Sequence, residues 1–112
     1  MDITFKSKEL AKECNQQGLL QKRHGQIRAK RIQQRLADLR AAKVLEDLRP
    51  PFPGRCHELI NNRREQFSLD LDHPYRLIFE SVNDPVPRKT DGGIDWTQIT
   101  AVKILGVEDT HE

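Results

Sequence analysis

The side chains of this sequence that could carry out chemistry are mainly arginines and histidines, and their pattern excludes several common kinds of site. The histidines are His24, His57, His73 and His111. None of them has helical i, i+4 spacing to a second metal ligand. The chain also has no Gly-x-Ser-x-Gly nucleophile motif and no glycine-rich phosphate loop. The sequence therefore predicts no metal site and no cofactor site.

Arginine and histidine side chains suffice for one reaction, the cleavage of RNA without a metal. In that reaction cations stabilise the dianionic phosphorane, while a general acid protonates the leaving 5′ oxygen. The attacking group is the 2′-hydroxyl of the RNA itself. Arg76 and His111 are candidates by residue type, but residue type alone leaves a purely structural role open for both.

The elements that would position these side chains begin with a strand and two helices. Residues 2–6 alternate as an edge strand does, and Ser7 is a suitable N-cap for a helix that ends near Gly18. The polar residues 22–25 predict a loop, and residues 26–43 predict a second helix that packs antiparallel to the first. One apolar stripe marks the buried side of the second helix: Ala29, Ile32, Leu36 and Leu39.

Charge is distributed unevenly along the chain. Residues 22–43 carry eight Lys or Arg against one acid, whereas residues 91–112 carry five acids against one Lys. A concentrated basic segment is a footprint for a polyphosphate partner, and it is equally compatible with a solvated helix face. Four basic residues fall away from the apolar stripe and are predicted to stay available to solvent or to a partner: Arg28, Lys30, Arg31 and Arg35.

After the helices, the chain predicts a sheet. The proline-rich segment 50–54 cannot continue a helix. Strands are predicted at 56–60, 66–71, 75–79 and 101–107, and residues 81–96 are predicted to leave the core as a Pro/Gly-rich excursion. Helices followed by strands indicate an α+β fold, with an N-terminal antiparallel helical hairpin on a mainly antiparallel sheet of four to five strands.

Length and composition fit one small intracellular domain. The chain has 112 residues, of which 36% are hydrophobic and 32% charged, so we expect a single domain over residues 1–112. No stretch approaches the ~20 apolar residues of a membrane span. The N-terminus lacks the pattern of an export signal. Cys14 and Cys56 have no C-x-x-C spacing, so we expect two free thiols in a reducing cytoplasm.

Five segments of the chain resemble a known family. The runs Gly54–Leu59, Arg63–Ser68 and Tyr75–Glu80 are similar to the toxins of the RelE/ParE superfamily, and within it to the HigB-like plasmid maintenance killer branch. Arg31–Ala42 resembles the second helix of that branch, and Val107–His111 resembles its closing Val-x-Asp-Tyr-His. The resemblance covers most of the chain apart from the excursion.

The resemblance implies a compact α+β toxin that needs no metal, enters the ribosomal A site and cuts mRNA there. By the same resemblance, His111 is the general acid or base, Asp109 orients it or contacts the nucleotide, and Arg76 holds the scissile phosphate. The basic helix face would bind ribosomal RNA. The family also implies a monomeric toxin that is neutralised by a small antitoxin, a helix-turn-helix protein of the HigA kind.

Two positions depart from the family pattern. The family's Leu-Lys-Gly-Asp-Arg block is Leu59–Arg63 here, with Ile60 in place of the lysine, and Thr110 stands where the family has tyrosine. Arg63 or Arg64 could restore the charge, although arginine is a poor proton donor. Two alternatives therefore stay open: a ParE-like inhibitor of DNA gyrase, and a catalytically weakened relative that acts as a binding protein.

Overall fold

The computed structural model describes residues 1–109 and confirms the α+β fold. One strand, two helices and four further strands follow one another along the chain: β1 (Asp2–Phe5), α1 (Lys8–Asn15), α2 (Gln17–Ala41), β2 (His57–Glu58), β3 (Gln66–Asp70), β4 (Tyr75–Ser81) and β5 (Ala101–Asp109). Short 3-10 turns lie at 45–48, 61–63 and 96–98. Ser7 caps α1 as predicted, because its Oγ accepts a hydrogen bond from the Leu10 N–H at 3.1 Å.

The five strands form one sheet in the order β1-β5-β4-β3-β2. β1 runs parallel to β5, and all other neighbours are antiparallel. The helices α1 and α2 link β1 at one edge of the sheet to β2 at the opposite edge. Phe67 lies opposite Phe79 and Leu69 opposite Leu77, so the large apolar side chains of β3 and β4 share one face. The register of β4 and β5 shifts once, after Ile78.

α2 differs from the predicted second helix at its start. It begins at Gln17, directly after the extended Gln16, and contains one non-helical residue, Gly25, at φ 81° and ψ 164°. Residues 22–24 are therefore helical, and the predicted loop 22–25 reduces to a bend at a single glycine. The stretch after Gly25 corresponds to the helix predicted over 26–43 and ends at Ala41. Only glycine adopts a backbone conformation such as that of Gly25 at low cost.

The core lies between α2 and the sheet. The predicted stripe of α2 is buried against the apolar face of β3, β4 and β5. Phe67 stacks on Phe79 with 5.6 Å between ring centroids, and Trp96 meets Phe67 edge-on at 5.4 Å. The prediction that residues 81–96 stay outside the core is wrong at its end, because Ile94 and Trp96 are buried in the same cluster. The Arg49 guanidinium covers the outer side of the Trp96 ring at 4.0 Å.

Both cysteines are buried and free, which confirms the prediction of two thiols. Burial raises the pKa of Cys14 to about 11 and that of Cys56 to about 12, because the thiolate loses its hydration in the core. Within residues 1–109, no helix combines the length and the apolar character that crossing a membrane requires.

Candidate functional site

The sheet has a second face, turned away from α1 and α2, which we call the polar face. Side chains alternate along each strand, so cross-strand partners share a face. Asp70 lies opposite Arg76, which lies opposite Glu108, and Glu80 lies opposite Lys103. The polar face includes His57, Gln66, Ser68, Asp70, Arg76, Ile78, Glu80, Lys103 and Glu108. Charged and hydrogen-bonding groups thus lie side by side on a rigid sheet.

Arg76 and Arg55 meet at one carboxylate on the polar face. Arg76 is buried, and its Nε lies 3.6 Å from Asp70 Oδ1. Arg55 precedes β2 and donates two hydrogen bonds to the same carboxylate, at 2.8 and 3.2 Å. The hydrogen bonds that Arg55 donates to Asp70 raise the pKa of its guanidinium. The two guanidiniums border a cavity of about 60 Å³ together with His73 and Tyr75. Such a pair of planar donors suits an anionic oxygen group.

His57 is a candidate that sequence reasoning missed. It lies opposite Ser68 in β2, and its Nδ1 is 2.9 Å from the carbonyl oxygen of Arg55. A carbonyl oxygen only accepts, so this contact requires a proton on Nδ1, and a ring with one proton then presents Nε2 as an acceptor. Both ring nitrogens lie 3.4 Å from Ser68 Oγ. The alternation of His57 with the buried Cys56 is the sequence signal that places it on this face.

The structure separates Arg63 from Arg64, the two arginines that the sequence offers as substitutes for the lysine of the family pattern. Arg63 forms an ion pair with Glu108, so its side chain reaches from the turn before β3 across to β5 on the polar face. Arg64 is exposed and lines a different cavity of about 320 Å³ together with Ile60. The Ile60 side chain is 63% exposed and adds no polar group to the site. Arg63 is therefore the one of the two that joins Arg76.

The predicted residues of the chain end are only partly described. Asp109 is the last residue of β5 and lies opposite Tyr75, so the alternation places it on the helix side of the sheet, next to the end that carries Arg76. His111, the predicted general acid or base, lies outside the described residues. Arg76 and Asp109 thus share one end of the sheet but belong to opposite faces.

The expectation that all four basic residues of α2 stay available is wrong for Arg28 and Arg35. Arg28 donates two hydrogen bonds to Asp72, at 3.0 and 3.1 Å, and its guanidinium lies 3.4 Å above the Tyr75 ring. Arg35 is buried and donates to the Asp70 carbonyl at 2.8 Å. Both arginines therefore fasten α2 to the β3–β4 region, whose acidic residues lie far from α2 in sequence.

Lys30 and Arg31 remain on the outer side of α2. Lys30 is exposed, and Arg31 contacts the neutral Gln34 side chain at 3.5 Å, the limit of a hydrogen bond.

Gly54 packs closely against α2, since a Cβ at this position would lie 3.1 Å from Arg35 Nε. The Gly54 carbonyl also accepts from the Asp70 N–H at 2.7 Å. The segment that carries Arg55 and His57 is thereby pinned to β3.

Among residues 1–109, no three His, Cys, Asp or Glu side chains come together in a way that could hold a metal ion.

No protein-family model matches the chain, and no curated protein has significant sequence similarity to it. The residues of the polar face themselves are therefore the basis for a functional assignment.

Proposed function

We propose that this chain is the toxin of a type II toxin–antitoxin system, and that it inhibits translation by cutting mRNA on the ribosome. One observation carries the proposal: Arg55 and Arg76 meet at the Asp70 carboxylate on the polar face, and the His57 ring is held at the Arg55 carbonyl on the neighbouring strand. Those groups are the ones that metal-independent cleavage through the 2′-hydroxyl needs. The sequence resemblance to HigB-like toxins supports the same activity.

Each group has a role in the proposed reaction. His57 Nε2 accepts the proton of the attacking 2′-hydroxyl, and the fixed Nδ1–H bond to the Arg55 carbonyl keeps the ring in the required tautomer. Arg76 holds the scissile phosphate and stabilises the negative charge of the phosphorane. Arg55 turns from Asp70 to the same phosphate. His111, by resemblance to the family, protonates the leaving 5′ oxygen.

The rest of the molecule serves binding in this proposal. Lys30 and Arg31 on the outer side of α2 contact ribosomal RNA. Arg28 and Arg35 instead donate hydrogen bonds to Asp72 and to the Asp70 carbonyl, and so stabilise the strands that carry the site. A small HigA-like antitoxin with a helix-turn-helix domain neutralises the toxin, which is monomeric when free. The site of action is the cytoplasm, where the ribosomes are.

Induced expression tests the proposed activity against the alternatives. We expect translation to stop within minutes and new mRNA 5′ ends to appear inside reading frames. A ParE-like gyrase inhibitor would instead induce the DNA-damage response and leave mRNA intact. Arg76→Ala should abolish the new 5′ ends. The matched control is Arg88→Ala, because Arg88 is an exposed arginine paired with Glu65 outside the polar face.

A further inference from the structure

Beyond the Arg63–Glu108 ion pair, the polar face continues into a cleft that the proposed reaction does not use. We call it the lysine cleft; it has a volume of about 470 Å³. Its walls are Lys6, Asn62, Arg63, Gln66, Glu80, Lys103, Leu105 and Glu108. Glu108 lies opposite Arg76 in the register of β4 and β5, so the cleft begins one strand away from the candidate site.

Among residues 1–109, two ammonium groups of this cleft, those of Lys6 and Lys103, have no ion-pair partner. Lys103 lies in β5 opposite Thr4 of β1. Lys6 comes directly after β1, and its N–H donates to the Ile104 carbonyl of β5 at 2.9 Å, so the backbones that carry the two lysines are hydrogen-bonded neighbours. Across residues 1–109, neither ammonium lies within 4.0 Å of a carboxylate oxygen, although Glu80 is opposite Lys103. The cleft carries three cations, from Lys6, Arg63 and Lys103, against the carboxylates of Glu80 and Glu108. Since Glu108 pairs with Arg63, one net positive charge is left in the cleft for an anionic ligand to neutralise.

We propose that the lysine cleft binds the phosphates of the same RNA strand that is cut at Arg76, on one side of the scissile phosphate. This inference rests on the proposed function and names a substrate subsite for it. The cleft suits a single strand because it combines cations with amides, from Asn62 and Gln66, and with the apolar side chain of Leu105. Lysine ammoniums neutralise phosphates, while the amides and the apolar wall can contact an unstacked base.

The test is equilibrium binding of an uncleavable 12-nucleotide single strand with 2′-O-methyl groups, followed by fluorescence anisotropy between 50 and 200 mM salt. Each phosphate contact contributes about 0.7 to the slope of log affinity against log salt for single strands. Lys6→Gln/Lys103→Gln should therefore flatten the slope by about 1.4. Over this fourfold salt range, the wild-type affinity should fall about sevenfold more than that of the double variant.

Lys8→Gln/Lys12→Gln is the matched control, because it removes the same charge from exposed lysines at α1. Equal slopes for the wild type and the Lys6/Lys103 variant would overturn the inference, as would an equal loss in the control. The outcome is independent of catalysis. If ribosome-dependent cleavage occurs but the slopes are equal, only the lysine cleft is refuted. If cleavage is absent but the Lys6/Lys103 variant alone flattens the slope, the proposed cleavage reaction is refuted and RNA binding in the lysine cleft is supported.

Discussion

Asp70 is the residue on which the candidate site depends most. Its carboxylate contacts Arg55 and Arg76, its carbonyl accepts from Arg35, and its N–H donates to Gly54. One residue thus orients the cations of the site and ties them to α2 behind the sheet. A substrate phosphate would compete with a carboxylate that already holds both guanidiniums in place. This arrangement keeps the arginines ordered before the substrate arrives.

The buried thiols give a prediction for stability against pH. The pKa of Cys14 is raised to about 11 and that of Cys56 to about 12, above the 9.0 of an exposed thiol. The thiols of the unfolded chain ionise first as pH rises, so their contribution to stability is complete below about pH 9 and is lost progressively above it. Urea unfolding at pH 7 and pH 10 should show a larger loss for the wild type than for Cys14→Ala/Cys56→Ala. Parallel losses would contradict the buried-thiol account.

At the scale of elements, α2 carries two kinds of basic residue with different tasks. Arg28 and Arg35 make hydrogen bonds to the β3–β4 region, and Lys30 and Arg31 do not. Helical periodicity shows which residues leave the apolar stripe. Periodicity does not show that Asp72 and the Asp70 carbonyl accept hydrogen bonds from Arg28 and Arg35, because these acceptors are over thirty residues away in sequence. This is why the sequence overestimated the basic surface.

Charge substitutions on α2 should separate these tasks. Arg35→Ala is expected to lower the free energy of unfolding by about 1–3 kcal/mol, because it leaves the Asp70 carbonyl without its donor. Lys30→Glu/Arg31→Glu should change stability by less than about 0.5 kcal/mol. It should, however, weaken cosedimentation with ribosomes and flatten its salt dependence. Unchanged cosedimentation of the Lys30/Arg31 variant, measured alongside urea unfolding, would make the outer side of α2 an ordinary solvated face.

The bend in α2 gives a second prediction at this scale. Gly25→Ala should destabilise the protein by about 1–3 kcal/mol, because φ 81° with ψ 164° is a conformation that alanine avoids. Steric contact does not contribute, since an added Cβ would meet no atom within 4 Å. Gly18→Ala is the matched control; it lies in regular helix with equal space and should gain about 0.5 kcal/mol. Denaturant melts that rank the two variants in the opposite order would contradict this.

At the scale of the molecule, the sheet divides packing from chemistry. Its helix side holds the core, and its polar face holds the candidate site and the lysine cleft. Period-two and helical patterns predicted the strands, the cap at Ser7 and the buried stripe of α2, because those features depend on local spacing. The burial of Trp96 and the grouping of Arg55, His57 and Arg76 depend on long-range contacts. A single sequence carries no direct signal for them.

The most direct test of the account is the mapping of mRNA 5′ ends after purified protein is added to ribosomes that are translating a reporter. The wild type should cut within the A-site codon. His57→Ala should slow cutting by about 10²–10⁴-fold and Arg76→Ala by about 10²–10³-fold. Arg88→Ala should cut at the wild-type rate. The absence of cuts by folded wild type on active ribosomes would contradict the account, and so would cutting at the wild-type rate by His57→Ala or Arg76→Ala.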